Sequence, residues 1–199
     1  MKNELELTVL LDTTYELLNE HLLKKGMHVL KKKEMYDIYM MPVSNFDDNL
    51  SKEQQLNSCI IIRRIDNEFS GFTYKYKQYL KNGDLVENKK FNLAIVNLED
   101  GKIFLEAIGY KQLFTIKQEM FEYANEVNKI CVQNVKGLGL FVEVEAENEG
   151  YNNGSIFDEL KDLINKYTYN IINNNYYAKK AILMMEKIEK TQREDLNYG

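Results

Sequence analysis

Apolar and polar residues alternate with a period of two along most of this chain, giving way to helical spacing in a few segments. The first stretch, KNELELTVLL at residues 2–11, sets the pattern. On a strand Leu5, Leu7 and Val9 share one face and Glu4 and Glu6 share the other. Asp12 or Thr13 is placed to cap a helix reaching about Lys25, in which Leu17, Leu18, His21 and Leu22 fall at helical spacing and Gly26 supplies the stop. MHVLKKKEMYDIYMMP then reads as one long or two short strands ended by Pro42, and VSNFDDNLSKEQQLN reads as a polar loop. SCIIIRRIDNE and FSGFTYKYKQYL form two strands joined through the turn-like Asp66–Asn67, and LVENKKFNLAIV forms another. NLEDGKIFLEAIG is a short helix, with Ile103, Phe104, Ala107 and Ile108 at helical spacing and Gly109 as its stop. Three further strands follow in YKQLFTIKQEMFEYA, NKICVQNVKG and GLFVEVEAE, and residues 155–190 read as helical.

That order predicts an α+β fold of about eight antiparallel strands with flanking and C-terminal helices. Antiparallel sheets of this size commonly manage their edges by closing, so an eight-stranded antiparallel β-barrel, or tunnel, is the expected architecture. No repeat or linker divides the chain. The expectation is one domain over residues 1–190 with a frayed tail at 191–199.

The polar faces of the strands carry charge in blocks. Glu143, Glu145 and Glu147 share a face opposite Val142, Val144 and Ala146. Thr73, Lys75 and Lys77 share a face opposite Tyr74 and Tyr76, Arg63 lies opposite Ile62 and Arg64, and Lys117 shares a face with Glu119. One reading makes these the wet sides of half-buried strands. The other turns the charged faces into a barrel interior, which then needs guests: divalent cations for the acids and a polyanion for the bases. Hard oxygen donors suit Mg²⁺ or Mn²⁺, and arginine and lysine supply donors to phosphate oxygens. No Gly-rich phosphate loop is present, so phosphate would be held by side chains.

The totals narrow the field only slightly. A net charge of −5 over 199 residues gives no overall attraction to nucleic acid or an anionic membrane. Cys59 and Cys131 sit in apolar stretches and no apolar leader or span of about 18 residues is visible, so the expectation is a cytoplasmic protein with two buried free thiols. His21 and His28 lack zinc-ligand spacing.

Taken in order, ELEL at the N-terminus, DIYM at 37–40, CIIIRR at 59–64, TYK at 73–75, EAIGY at 106–110 and VKGLGLFVEVE at 135–145 resemble the CYTH domain. This is the family of class IV adenylyl cyclases and thiamine triphosphatases, the triphosphate tunnel metalloenzymes. The resemblance covers about residues 1–145, its most specific block is GLGLFVEVE, and DIYM followed by a polar loop leans towards the cyclase branch. It implies a tunnel whose inner wall binds triphosphate and metal. Glu4 and Glu6 match the acids of the family's Glu-x-Glu-x-Lys opening, with Thr8 in place of the lysine, and Glu143 and Glu145 match its late acidic pair; these four are the implied Mg or Mn ligands. Arg63 matches the second arginine of a Leu-Arg-Ile-Arg strand, with Ile61 replacing the first, and Lys75 matches the lysine of the next strand. Lys117 matches the first base of a Lys-x-Arg pair, with Glu119 in place of the arginine, and Lys77 is a further candidate phosphate contact. Gln133 stands where aspartate is usual, and Asn92 falls near a usual glutamate. Asp37 and Tyr39 read as structural, and Tyr176 and Tyr177 as packing residues before the last helix.

The implied ligand is a triphosphate compound: ATP, tripolyphosphate or thiamine triphosphate. Cyclase and phosphohydrolase chemistry both follow from the family, no residue is assigned a catalytic role, and a homodimer is left open. Each arginine lost removes a charge-assisted bond worth roughly 1.5–3 kcal/mol. The alternative expectation is therefore an inactive CYTH-fold protein serving as a phosphate-ligand binding module or an interaction scaffold.

Overall fold

The computed structural model describes residues 3–46, 49–66, 68–79, 85–148 and 153–197; the side chains of residues 3–4, 76–79, 85–89, 147–148, 153 and 196–197 lie outside that description. Eight strands form one sheet: β1 (Asn3–Leu11), β2 (His28–Pro42), β3 (Ile60–Ile65), β4 (Phe69–Tyr79), β5 (Leu85–Ala94), β6 (Tyr110–Ala124), β7 (Lys129–Val135) and β8 (Gly139–Asn148). Their order is β1-β8-β7-β6-β2-β3-β4-β5, and the described ladders are antiparallel. Five helices accompany them: α1 (Tyr15–Lys24), α2 (Lys52–Asn57), α3 (Leu98–Ala107), α4 (Asn153–Tyr167) and α5 (Lys180–Asn197). The α+β class and the strand count agree with the sequence reading.

Two compact units divide the chain. The first comprises residues 1–34 and 118–178, the second residues 35–117 and 179–199. In the first unit, Leu5, Leu7, Val9 and Leu11 turn one face of β1 into a core with Val142 and Val144 of β8, Leu18 and Leu22 of α1 and Leu160, Ile164 and Tyr167 of α4. Thr14 caps α1, its hydroxyl accepting from the Leu17 amide, one residue after the expected caps, and Gly26 closes the turn at φ +76°. Beyond α4 the chain returns to β1: the Thr8 amide donates to Tyr176 O at 3.1 Å and the Ala178 amide donates to Thr8 O at 2.9 Å. This strap occupies the outer hydrogen-bonding edge of β1 at the end of the sheet. The Tyr176 hydroxyl donates to Asn165 Oδ1 at 2.6 Å, which fits the packing role expected of it.

In the second unit, Ile38, Met40 and Ile62 pack with Leu105 of α3. Asn97 caps α3, accepting from the Asp100 amide at 2.8 Å. Gly101 lies so close to the sheet that an added Cβ would meet Ile95 Cδ1 at 2.5 Å. The polar segment read as loop contains α2, opened by a Ser51/Gln54 capping box. Lys52 reaches Glu189 of α5 at 3.1 Å, and Lys179 pairs with Glu53. Helix α5 continues to Asn197, through most of the stretch the sequence leaves as a tail.

Candidate functional site

The β1/β8 ladder decides what the acidic pattern means locally. Its register places Glu6 directly opposite Glu145 and Thr8 opposite Glu143, and paired residues project from the same side of the sheet. Leu7 and Val144 take the other side, in the core. Two like charges directly opposite each other repel and destabilise the pair, which a bound cation would relieve. Glu4 is paired with Glu147 at the next same-face position along the ladder; their side chains lie outside the described residues.

The row through Thr8 continues across the first unit: Glu143 pairs with Cys131 of β7, and Cys131 pairs with Glu122 of β6. Thr8, expected to stand where the resemblance puts a lysine, is buried and donates its hydroxyl to Glu6 Oε1 at 3.2 Å. Gln133, expected to stand where the resemblance puts an aspartate, is fully buried and donates from Nε2 to Glu143 Oε2 at 3.1 Å. A second carboxylate there would repel Glu143, whereas the amide satisfies it. Glu122 is held by two ammonium groups, Lys33 Nζ at 3.0 Å on one oxygen and Lys129 Nζ at 3.1 Å on the other. The hydrogen bond from Lys33, with that from Lys129, keeps its carboxyl below the ordinary carboxylate range.

The donor set suits a hard divalent cation, being carboxylate oxygens on one face of two adjacent strands. Among the described residues no three His, Cys, Asp or Glu side chains converge into a ready cage. The fit is one of donor type and face.

The second unit carries a different wall. Arg63 and Asp37 are directly opposite on β3 and β2, and their side chains form a bidentate pair, Nε donating to Oδ1 at 2.7 Å and Nη2 to Oδ2 at 2.6 Å. Both are buried, at 9% and 3% exposure. The Asp37 carboxylate thus takes one edge of the arginine expected to meet phosphate, a role the sequence did not give it. On the same face, the next row is Tyr39, Ile61, Thr73 and Asn92. Ile61, expected to stand where the resemblance puts an arginine, is buried, Tyr39 stacks on Phe114 at 4.5 Å, and Thr73 donates to Asn92 Oδ1 at 2.9 Å. Lys75 follows on that face, half-buried and paired in register with Lys90. Lys77 pairs with Asn88, its side chain outside the described residues. Lys117 stands on the side of β6 opposite Phe114 and Ile116, exposed, with Nζ 5.2 Å from the centre of the Tyr36 ring.

The structure therefore gathers Glu6, Glu143 and Glu145 on one face in the first unit, and Arg63 and Lys75 on one face in the second. Lys33, Glu122, Lys129 and the Asp37 partnership escaped the sequence reading; the parity of Lys33 with Asp37 along β2 was the available signal. Neither cysteine forms a disulfide: Cys59 is buried, which pushes its thiol up to about 12, and Cys131 is half-buried. No described helix is long and apolar enough to cross a membrane.

The CYTH domain family model matches residues 2–170, and the chain belongs to that family. A Methanocaldococcus jannaschii protein provisionally named an adenylate cyclase is 24% identical over 183 residues, covering 90% of this chain and 99% of that one. Among solved structures, a Vibrio parahaemolyticus protein, also provisionally named an adenylate cyclase, superposes with TM-score 0.65 at 12% identity, covering 92% of this chain and 98% of the other. A Hippeastrum protein provisionally named an adenylyl cyclase, and described as revealing a dominant triphosphatase activity, matches with TM-score 0.57 at 13% identity over 94% of this chain and 96% of its own. At such identities the two structures establish the fold, the α+β tunnel fold of the family.

Proposed function

We propose that this protein binds a triphosphate-containing small molecule, such as ATP, tripolyphosphate or thiamine triphosphate, together with Mg²⁺ or Mn²⁺. The observation that carries this reading is the Glu6–Glu145 opposition with Glu143 in the neighbouring row on the same face. Carboxylates set opposite each other in register repel, and a cation held between them would offset that cost. Glu4, Glu6, Glu143 and Glu145 would hold the cation, which supplies charge neutralisation to the phosphate oxygens. Arg63, Lys75 and Lys77 are the phosphate contacts of this reading. Lys117, exposed on the other side of its strand from Ile116, has less support as one. The family match and the described activity of the Hippeastrum neighbour support the same ligand class.

A second reading, binding without turnover, has its own support. Thr8 and Ile61 replace two cations, and Asp37 occupies one edge of Arg63. Phosphoryl and cyclisation chemistry depend on positioned positive charge rather than a covalent nucleophile, so each such loss weakens catalysis first. Isothermal titration with each of the three triphosphates and Mg²⁺ or Mn²⁺, followed by product analysis, separates the readings. The expected result is metal-dependent binding that falls by at least about tenfold in Glu6→Gln/Glu145→Gln, the scale of a lost ionic contact. Binding that ignores both the metal and this double variant sinks the proposal.

A further inference from the structure

The two ends of the sheet are finished differently. At β1 the strap takes the outer backbone groups, and Leu5, Leu7 and Val9 are buried. At β5 no strand pairs with the outer edge among the described residues, and Lys90, Phe91, Asn92, Leu93 and Ala94 are all exposed. An edge of this kind offers its N–H and C=O groups to another chain.

The α3 side of that edge is apolar. The register sets Phe91 opposite Tyr74 and Leu93 opposite Phe72, and the Phe91 and Tyr74 rings lie 6.3 Å apart. Phe72 packs against Leu105 of α3 and lies 6.2 Å from the Phe104 ring, so Phe104 adjoins the row that ends in Leu93. Ile108 follows Phe104 by one helical turn. Exposure is 47% at Phe91, 65% at Leu93, 55% at Phe104 and 54% at Ile108. Together they present on the order of 400 Å² of apolar surface beside an open backbone edge, the size of patch that marks an interaction site.

We propose that this edge is a two-fold interface, at which β5 pairs antiparallel with β5 of a second copy of this chain. The interface is independent of the triphosphate reading. A two-fold axis perpendicular to the sheet keeps each face on its own side, so the residue on the axis fixes every pair. With Asn92 on the axis, Phe91 lies opposite the second copy's Leu93, twice over, on the apolar side, and Lys90 lies opposite Ala94 on the other. An axis at Lys90 would set that lysine against itself, and one at Phe91 would set Leu93 opposite Lys89. Charge and apolar matching therefore select the same register. The strap covers the β1 edge, so the pairing closes at two copies instead of growing into a fibre. Two such patches with their paired backbones bury on the order of 1,000 Å², near the lower bound for a specific interface, which sets the expected dissociation constant in the micromolar range.

Sedimentation of the full-length protein over a range of concentrations tests this. The parent should show a monomer–dimer equilibrium, and Leu93→Lys should weaken it at least about a hundredfold, because the change acts twice at a two-fold interface. Val127→Lys, which alters an exposed apolar residue of the first unit, should leave the equilibrium unchanged. On mild oxidation Asn92→Cys should give a covalent dimer, since the residue on the axis meets its own counterpart within disulfide reach, whereas Lys90→Cys should not. A parent that stays monomeric up to about 0.1 mM overturns the proposal. So does a dimer that Leu93→Lys leaves intact, or cross-linking of Lys90→Cys in place of Asn92→Cys.

Discussion

An acidic residue does opposite things in the two units of this molecule. In the first unit Glu6 faces Glu145 across the ladder, a pairing of like charges directly opposite each other. In the second unit Asp37 faces Arg63 across its ladder, and the two charges satisfy each other in a buried bidentate pair. The first sets like charges against each other, whereas the second joins opposite ones. Local sequence does not separate them, since both are acids on strand faces; the residue across the ladder does.

Mutation should affect the two pairs in opposite directions. The largest effect should come from Asp37→Ala, which takes the bidentate partner from a buried guanidinium and is expected to cost about 3–5 kcal/mol in urea unfolding. A loss below about 1 kcal/mol would mean the pair is dispensable. Glu6→Gln should move the other way in metal-free buffer, gaining about 0.2–1 kcal/mol by relieving the like-charge opposition. A measurable loss there would show that the acidic ladder stabilises the fold by itself. The smallest effect concerns pH. The Glu122 carboxyl is depressed below its unfolded value of 4.5, chiefly by its hydrogen bond from Lys33. Its contribution is therefore fully present above that value and lost as pH falls through the folded one. Melting temperatures between pH 6 and pH 3 should fall less steeply in Glu122→Gln than in the parent; identical slopes would remove Glu122 as a source of acid sensitivity.

Period-two alternation made the strands legible, because a half-buried sheet imposes it directly on the residues. It also made Glu4 and Glu6, or Glu143 and Glu145, recognisable as sharing a face. Register was not legible: nothing in either segment says that Glu6 meets Glu145 rather than Glu143. Asp37 and Arg63 lie 26 positions apart, and only the β2/β3 ladder makes them partners. Lys117 shows the limit of parity from another side. Strand β6 buries Phe114, Ile116 and Gln118 from one side and Phe121 and Tyr123 from the other, so alternation alone does not tell which side of Lys117 meets water. Helix α2 was missed because its one apolar residue, Leu56, gives no periodicity, although its Ser51/Gln54 box was present in the sequence.

The strap at Tyr176–Ala178 has a consequence for how the chain comes into being. Strand β1 leaves the ribosome before both of its partners, since its two flanks are completed by β8 and by residues near position 178. Strand β1 must wait until both have been synthesised before its backbone groups find partners, and contacts this distant in sequence make for slow assembly. During that wait, its alternating leucines and valine are an exposed template for other nascent chains, which makes charge repulsion between Glu4 and Glu6 of neighbouring chains useful well before any cation is bound.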